Sequence, residues 1–341
     1  MKKVVIYGTG KVGKAFYESH NFEGEELVAF VETNPNKESF LGTNIIGIED
    51  IGENIDIIYL ANSYIDTVYE CIGRGIQKQR LILENEMLCK LYCSIEGTLD
   101  IKYDYIFAMK YERQITKKDE YIVMAAMQRN LKNYGSHKMN ILGNSYTESY
   151  DYNRLATLEL LIEEIKQNNI NGELAELGVF KGNFSKWINK EFPDKRLFLF
   201  DTFDGFDNKD IDIDIENKYS SKEWFDKVKN FEETSVSLVL GKMKHPNQVV
   251  VRKGFFPDTI PEEKLKYALV SIDCYLYMPI LEGLRYFYPR VNRGGYIMLH
   301  DYNAPELRGV RQAVLDYELE IGERMVKIPI PDRCGSLIIG K

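Results

Sequence analysis

The residues of this chain best placed for chemistry are acids at the ends of apolar runs. In Ala175-Glu176-Leu177-Gly178-Val179-Phe180-Lys181-Gly182 an apolar strand delivers Glu176 to a glycine turn, and Leu197-Phe198-Leu199-Phe200 then ends at Asp201. An open α/β sheet grips an adenosine nucleoside in this way: backbone amides approach the ligand at the turn, and the second acid takes ribose hydroxyls. The dinucleotide turn reads G-x-G-x-x-G and faces a pyrophosphate; here the turn is E-x-G-x-x-x-G. An acid facing the ligand would repel phosphate and attract an ammonium or a sulfonium, which points to S-adenosylmethionine and not to NAD. Glu176, Gly178, Gly182 and Asp201 are therefore the cofactor-binding candidates, although the turn alone would fit many α/β domains. Two later runs, Ala268 to Asp273 and Gly294 to Asp301, also end in acids. Ligands bind beyond the carboxyl ends of such strands, so Glu176, Asp201, Asp273 and Asp301 are expected to line one crevice.

Taken together, the motifs resemble the macrocin O-methyltransferase family. The resemblance rests on Ala175 to Gly182, Phe200 to Phe206, Gly254 to Thr259, Ile272 to Tyr277, His300 to Tyr302 and Gly309 to Val314, in one order. It implies a class I methyltransferase sheet of seven strands, methyl transfer to a sugar hydroxyl, and a divalent metal. Two departures stand out. Where the family often has D-x-D-L-Y this chain has Asp273-Cys274-Tyr275-Leu276-Tyr277, and where it often has paired acids this chain has His300-Asp301. Asp273, His300 and Asp301 are the expected metal ligands, for magnesium through oxygen or for manganese with the imidazole. Asp273 and His300 are also the catalytic candidates, because a metal-free His300 would remove the hydroxyl proton near neutral pH. Tyr150 to Arg154 matches the family's entrance segment, making Tyr152 and Arg154 the substrate candidates.

Several elements must hold these residues. Leu155, Leu158, Leu161, Ile162 and Ile165 recur at helical spacing and predict an amphipathic helix near the mouth of the sheet. Asp207 to Glu233 mixes acids, lysines and aromatics and reads as a solvated insertion, at a place suited to a lid. Val326 to Ile339, with a turn at Pro331 to Gly335, reads as a hairpin closing the sheet edge. The first third carries its own α/β pattern: strands at Val4 to Tyr7, Leu27 to Val31, Ile55 to Leu60 and Leu81 to Leu83, a helix at Ile65 to Cys71, and a full G-x-G-x-x-G at Gly8, Gly10 and Gly13 with Glu32 following. This unit resembles the small domain preceding some bacterial sugar acyltransferases, through Phe30 to Pro35 and Ile58 to Ser63. That resemblance implies a nucleotide-linked sugar ligand; an empty structural turn stays open. The expected organisation is α/β with two Rossmann-like domains: 1–85 binding a nucleotide or nucleotide sugar, 86–150 a mostly helical connection, and 151–341 the S-adenosylmethionine-dependent methyltransferase.

Composition narrows the partners. The 341 residues carry a net charge of −8, which attracts neither nucleic acid nor an anionic membrane. No apolar run approaches a membrane span, and Met1-Lys2-Lys3 leads into a strand instead of a secretory signal, so a cytoplasmic protein is expected. Its five cysteines lack C-x-x-C spacing and are expected reduced. A homo-oligomer stays open. Two rivals remain: an NAD(P)-dependent oxidoreductase built on the first glycine loop, and a non-catalytic nucleotide-sugar sensor. Tyr134 and Lys138 have short-chain dehydrogenase spacing, but Tyr7 and Lys11 match it too, inside the loop, so it carries no information.

Overall fold

The computed structural model describes residues 1–62, 66–83, 152–228, 231–332 and 334–341. The expected helical connection 86–150, Cys89, Cys93, Tyr134 and Lys138 lie outside them, as does the side chain of Tyr152. Two compact units, Met1–Tyr150 and Asp151–Lys341, divide the chain. Among the described residues no helix is long and apolar enough to cross a membrane.

The first unit holds a six-stranded sheet. Its strands are β1 (Lys2–Tyr7), β2 (Glu25–Glu32), β3 (Ser39–Phe40), β4 (Thr43–Gly47), β5 (Ile57–Leu60) and β6 (Leu81–Leu83), in the order β3-β4-β2-β1-β5-β6. All pairs are parallel except β3 with β4. Helix α1 (Lys11–Ser19) follows the glycine turn and α2 (Asp66–Gly73) follows β5. The chain reverses direction across β1, so the crevice beyond β1 and β5 is the place where such a sheet takes ligands. Gly8 and Gly13 make the turn close: a Cβ on Gly13 would lie 1.9 Å from the Gly8 carbonyl oxygen. The apolar runs correctly indicated the central strands, but β3 and β4 were not foreseen.

The second unit holds a seven-stranded sheet built from β7 (Glu173–Leu177), β8 (Leu197–Asp201), β9 (Val249–Lys253), β10 (Tyr267–Ile272), β11 (Val291–Leu299), β12 (Val326–Pro329) and β13 (Leu337–Gly340), in the order β12-β13-β11-β10-β7-β8-β9. The strands from β11 to β9 are parallel, and β13 runs antiparallel to both neighbours. Every residue of β10 is buried, as expected of a central parallel strand covered on both faces. Helices α3 (Tyr152–Gln167), α4 (Ser185–Glu191), α5 (Asn208–Glu216), α6 (Lys222–Val228), α7 (Val236–Lys242), α8 (Tyr277–Phe287) and α9 (Arg308–Ile321) complete it. In α3 the stripe Leu155, Leu158, Ile162 and Ile165 is buried, as its spacing indicated, while Leu161 is half-buried.

The segment expected to be a solvated insertion is instead docked. Asp214 of α5 is fully buried and accepts a hydrogen bond from the backbone of Tyr277, at the start of α8, at 3.0 Å. Phe225 of α6 is buried and Trp224 packs against the main core. The reason lies in helical geometry: Asp210 and Asp214 share one face of α5 and turn inward, whereas Asp212 is exposed.

Candidate functional site

Reversal of direction between β7 and β10 opens a crevice at their carboxyl ends, and an open cavity lies there. Gly178, Asp201 and Asp273 line it, from the ends of three adjacent strands. Only glycine fits at 178. Its φ is +84°, and a Cβ would lie 2.2 Å from the Asp273 carbonyl oxygen, so any side chain would push the β7 turn off the β10 loop.

Asp201 shapes the turn. Its Oδ2 accepts the backbone amides of Val179 at 2.6 Å and Phe180 at 2.9 Å, and its Oδ1 accepts that of Phe203 at 2.7 Å. Phe180 and Phe203 both have positive φ, so this one carboxylate holds two strained turns in place. Each of these bonds to a charged acceptor is of the stronger kind.

Glu176 is not in the cavity, contrary to expectation. It is 1% exposed and sits within the layer, where β7 pairs it with Ser271 of β10. The Ser271 hydroxyl donates to Oε1 at 3.2 Å, and the Ser185 hydroxyl, at the start of α4, donates to Oε2. A carboxyl so enclosed by protein donors is not available to a ligand's ammonium. Gly182 is also displaced from its expected role: a Cβ there would meet Val239 of α7 at 2.9 Å, so this glycine serves helix packing.

At the end of β11, His300 Nδ1 lies 2.8 Å from Asp301 Oδ2 and 3.1 Å from Asp273 Oδ1. Arg154, from the first turn of α3, donates to Asp273 Oδ2 at 2.8 Å and stacks 4.1 Å above the Phe184 ring. Burial disfavours charge on both partners, yet His300 and Arg154 hold Asp273 well below the usual carboxylate range, and Asp273 with Asp301 holds the imidazole well above its ordinary value. Arg154 is thus an ion partner of Asp273 and not the open substrate contact expected of it. Asp301 is 2% exposed and does not line the cavity. Of the four acids expected in one crevice, Asp201 and Asp273 line it.

Of the expected metal ligands, His300 and Asp301 fall in one candidate donor group. The Asp273 oxygens accept from Arg154 and lie beside His300 Nδ1. Among the described residues His300, Asp301 and Cys334 bring one nitrogen, one carboxylate and one sulfur within 4.8 Å. That donor set does not fit magnesium, which requires oxygen.

Sequence reasoning missed Asp210, which lines the cavity from α5, and the aromatic wall of Phe206, Phe231 and Tyr275. Tyr275 stacks on Phe231 at 5.0 Å. In the first unit, the Thr9 hydroxyl donates to Glu32, drawing that acid to the glycine turn, while the space around Gly10 is open to 4 Å.

A family model described as Macrocin-O-methyltransferase (TylF) matches residues 81–331. Mycinamicin III 3''-O-methyltransferase of Micromonospora griseorubida is 27% identical over 179 residues, covering 48% of this chain and 67% of the relative. A 4'-O-methyltransferase of Streptomyces olivaceus acting on 8-demethyl-8-(2,3-dimethoxy-alpha-L-rhamnosyl)-tetracenomycin-C is 26% identical over 184 residues, covering 50% and 66%. The matches thus span about two thirds of these relatives' own lengths. Among solved structures, the O-methyltransferase NovP has a TM-score of 0.46 at 21% identity, covering 59% of this chain and 81% of its own.

Glu176 gives a test of this layout. Burial, opposed by the hydrogen bonds of Ser185 and Ser271, pushes its carboxyl up to about 8. The folded state therefore binds a proton that the unfolded state releases near pH ~4.3, and stability is lost as pH rises from there towards 8. Glu176→Gln cannot ionise and should remove this loss. In thermal unfolding the variant should gain on the wild type from about pH 5 to about pH 8; parallel profiles would show that Glu176 carries no buried proton.

Proposed function

Because the chain belongs to the macrocin O-methyltransferase family, we propose that it is an S-adenosylmethionine-dependent O-methyltransferase acting on a sugar hydroxyl. The observation that carries the reading is the cavity at the ends of β7, β8 and β10, with Gly178, Asp201 and Asp273 in its wall and His300 bound to Asp273. The tight Gly178 turn admits the cofactor's backbone, and the lone pairs of Asp201 not used by the turn accept ribose hydroxyls. S-adenosylmethionine supplies an electrophilic methyl group on a sulfonium. The sugar class is supported by the relative whose named substrate carries a dimethoxy-rhamnosyl group.

His300 serves as the base. With Nδ1–H held by Asp301 and Asp273, Nε2 takes the proton of an acceptor hydroxyl once the imidazolium that those carboxylates favour has released its Nε2 proton. The two carboxylates stabilise the resulting imidazolium, and Arg154 fixes Asp273 for that task. Alignment of the acceptor oxygen with the methyl–sulfur bond supplies much of the rate.

The first unit, in this reading, holds the nucleotide of a sugar nucleotide. Its parallel order about β1, the open space at Gly10 and the Thr9–Glu32 contact support this. Gly10→Val should abolish calorimetric binding of nucleotide sugars and leave S-adenosylhomocysteine affinity unchanged. A wild type that binds no nucleotide sugar would contradict this part.

Methyl transfer to a panel of nucleotide sugars, followed by mass spectrometry, tests the whole. His300→Asn should lower the rate by roughly 10²–10⁴-fold with S-adenosylhomocysteine affinity retained, and exhaustive chelation should leave the wild-type rate unchanged. An unaltered rate in His300→Asn, or activity lost on chelation and restored by magnesium, would contradict the base assignment.

A further inference from the structure

The donors gathered beside the end of β11 do not suit magnesium, but they suit a softer ion. Asp301 brings a carboxylate, His300 an imidazole and Cys334 a thiol, and their ligand atoms all lie within 4.8 Å of one another. Magnesium takes oxygen ligands and keeps several waters, so this set offers it a single good donor. Zinc is bound by all three atom types at roughly 2.0 to 2.3 Å, and with three protein ligands it keeps a fourth position for water. Cys334 turns the preference, because thiolate sulfur selects softer ions.

Hydrogen bonds hold the cysteine's loop in place. Cys334 lies between β12 and β13, and the carbonyl of the next residue, Gly335, accepts the backbone amide of Asn303 at 3.1 Å and its side-chain amide at 3.0 Å. Asn303 closely follows Asp301, so these bonds tie the loop to the turn that carries His300 and Asp301. Asp332 accepts the Ser336 amide at 2.6 Å and the Ser336 hydroxyl, which closes the loop across the cysteine. Gly335 is required in that turn: its φ is +63°, and a Cβ would lie 2.6 Å from that of Asn303. Behind the imidazole, Asp273 Oδ1 lies 3.1 Å from Nδ1, the kind of carboxylate that orients a ligating histidine. The His300 and Asp301 side chains are 12% and 3% exposed, whereas Cys334 is a half-buried free thiol through which an ion can enter.

We propose that His300, Asp301 and Cys334 form a binding site for zinc, and that zinc held there switches methyl transfer off. Ligation releases the thiol proton and the second ring proton of the imidazolium to solvent. Whichever ring nitrogen binds the ion, the other keeps its hydrogen, so His300 has no lone pair left for the acceptor hydroxyl. The metal-free chain is then the active form. The site stands on its donors alone, and the inhibition rests on the assignment of His300 as the base.

The test is calorimetric titration of the metal-free full chain with zinc and with magnesium, alongside the absorption spectrum with cobalt(II), whose thiolate complexes show a near-ultraviolet charge-transfer band. The wild type should show the band and bind zinc far more tightly than magnesium. Cys334→Ser, which keeps the size without the sulfur, and Cys334→Ala should each lose the band and weaken zinc binding by at least roughly tenfold, since even groups one step behind the ligands cost that much. Methyl transfer is then read for each protein as the rate with zinc over the rate without it. The ratio should fall steeply in the wild type, recover on chelation, and stay higher in both variants at the same zinc concentration. Equal zinc affinity in the wild type and both variants, or magnesium bound more tightly than zinc, overturns the site. Zinc bound through Cys334 with no change in the wild-type rate overturns the inhibition, and the base assignment with it. A chain that binds zinc through Cys334 yet methylates nothing confirms the site and rejects the methyltransferase reading, together with the inhibition.

Discussion

The Asp201 carboxylate draws both sides of the β7–β8 crevice onto a single group. Its three backbone donors, the amides of Val179, Phe180 and Phe203, belong to turns whose positive φ at Phe180 and Phe203 would otherwise relax. The cavity depends on those turns keeping their shape, because Gly178 can lie against the Asp273 carbonyl only while the β7 turn is held down. An acid at the end of β8 is thus structural before any ligand enters, and the same negative charge suits it to ribose hydroxyls afterwards.

A second constraint operates across the sheet. The Asp273 and Asp301 carboxylates repel one another, and the His300 imidazole and the Arg154 guanidinium supply the balancing charge. The site is dry enough for the balance to matter: Arg154, Asp273 and His300 side chains are each 15% exposed or less. Buried ion networks of this kind contribute little net stability, but removal of one member leaves its partners uncompensated.

Much of this was legible in the residues. Apolar runs ending in acids located β7, β8, β10 and β11, because a parallel strand covered on both faces has no other composition. The glycine at 178 was legible because a tight strand-to-helix turn needs one. Glu176 misled because residue type does not say which way a strand side chain points; Ser271, its neighbour in the sheet, was the available sign that it is satisfied within the protein. Arg154 could not be tied to Asp273 from sequence, since they are far apart in the chain and meet only through the packing of α3. The acid-rich run around Asp210 was read as solvated from composition, although the four-residue spacing of Asp210 and Asp214 marked an inward face of α5.

The central claim is that the strand ends form an S-adenosylmethionine site organised by Asp201. It is tested most directly by calorimetric titration of S-adenosylhomocysteine into the wild type and Asp201→Ala, with circular dichroism to confirm that both are folded. The account predicts one site per chain in the wild type and an affinity lower by roughly tenfold or more in the variant, as expected when a charged hydrogen-bond acceptor is removed. A folded Asp201→Ala that binds as tightly as the wild type, or a wild type that binds nothing, would contradict it.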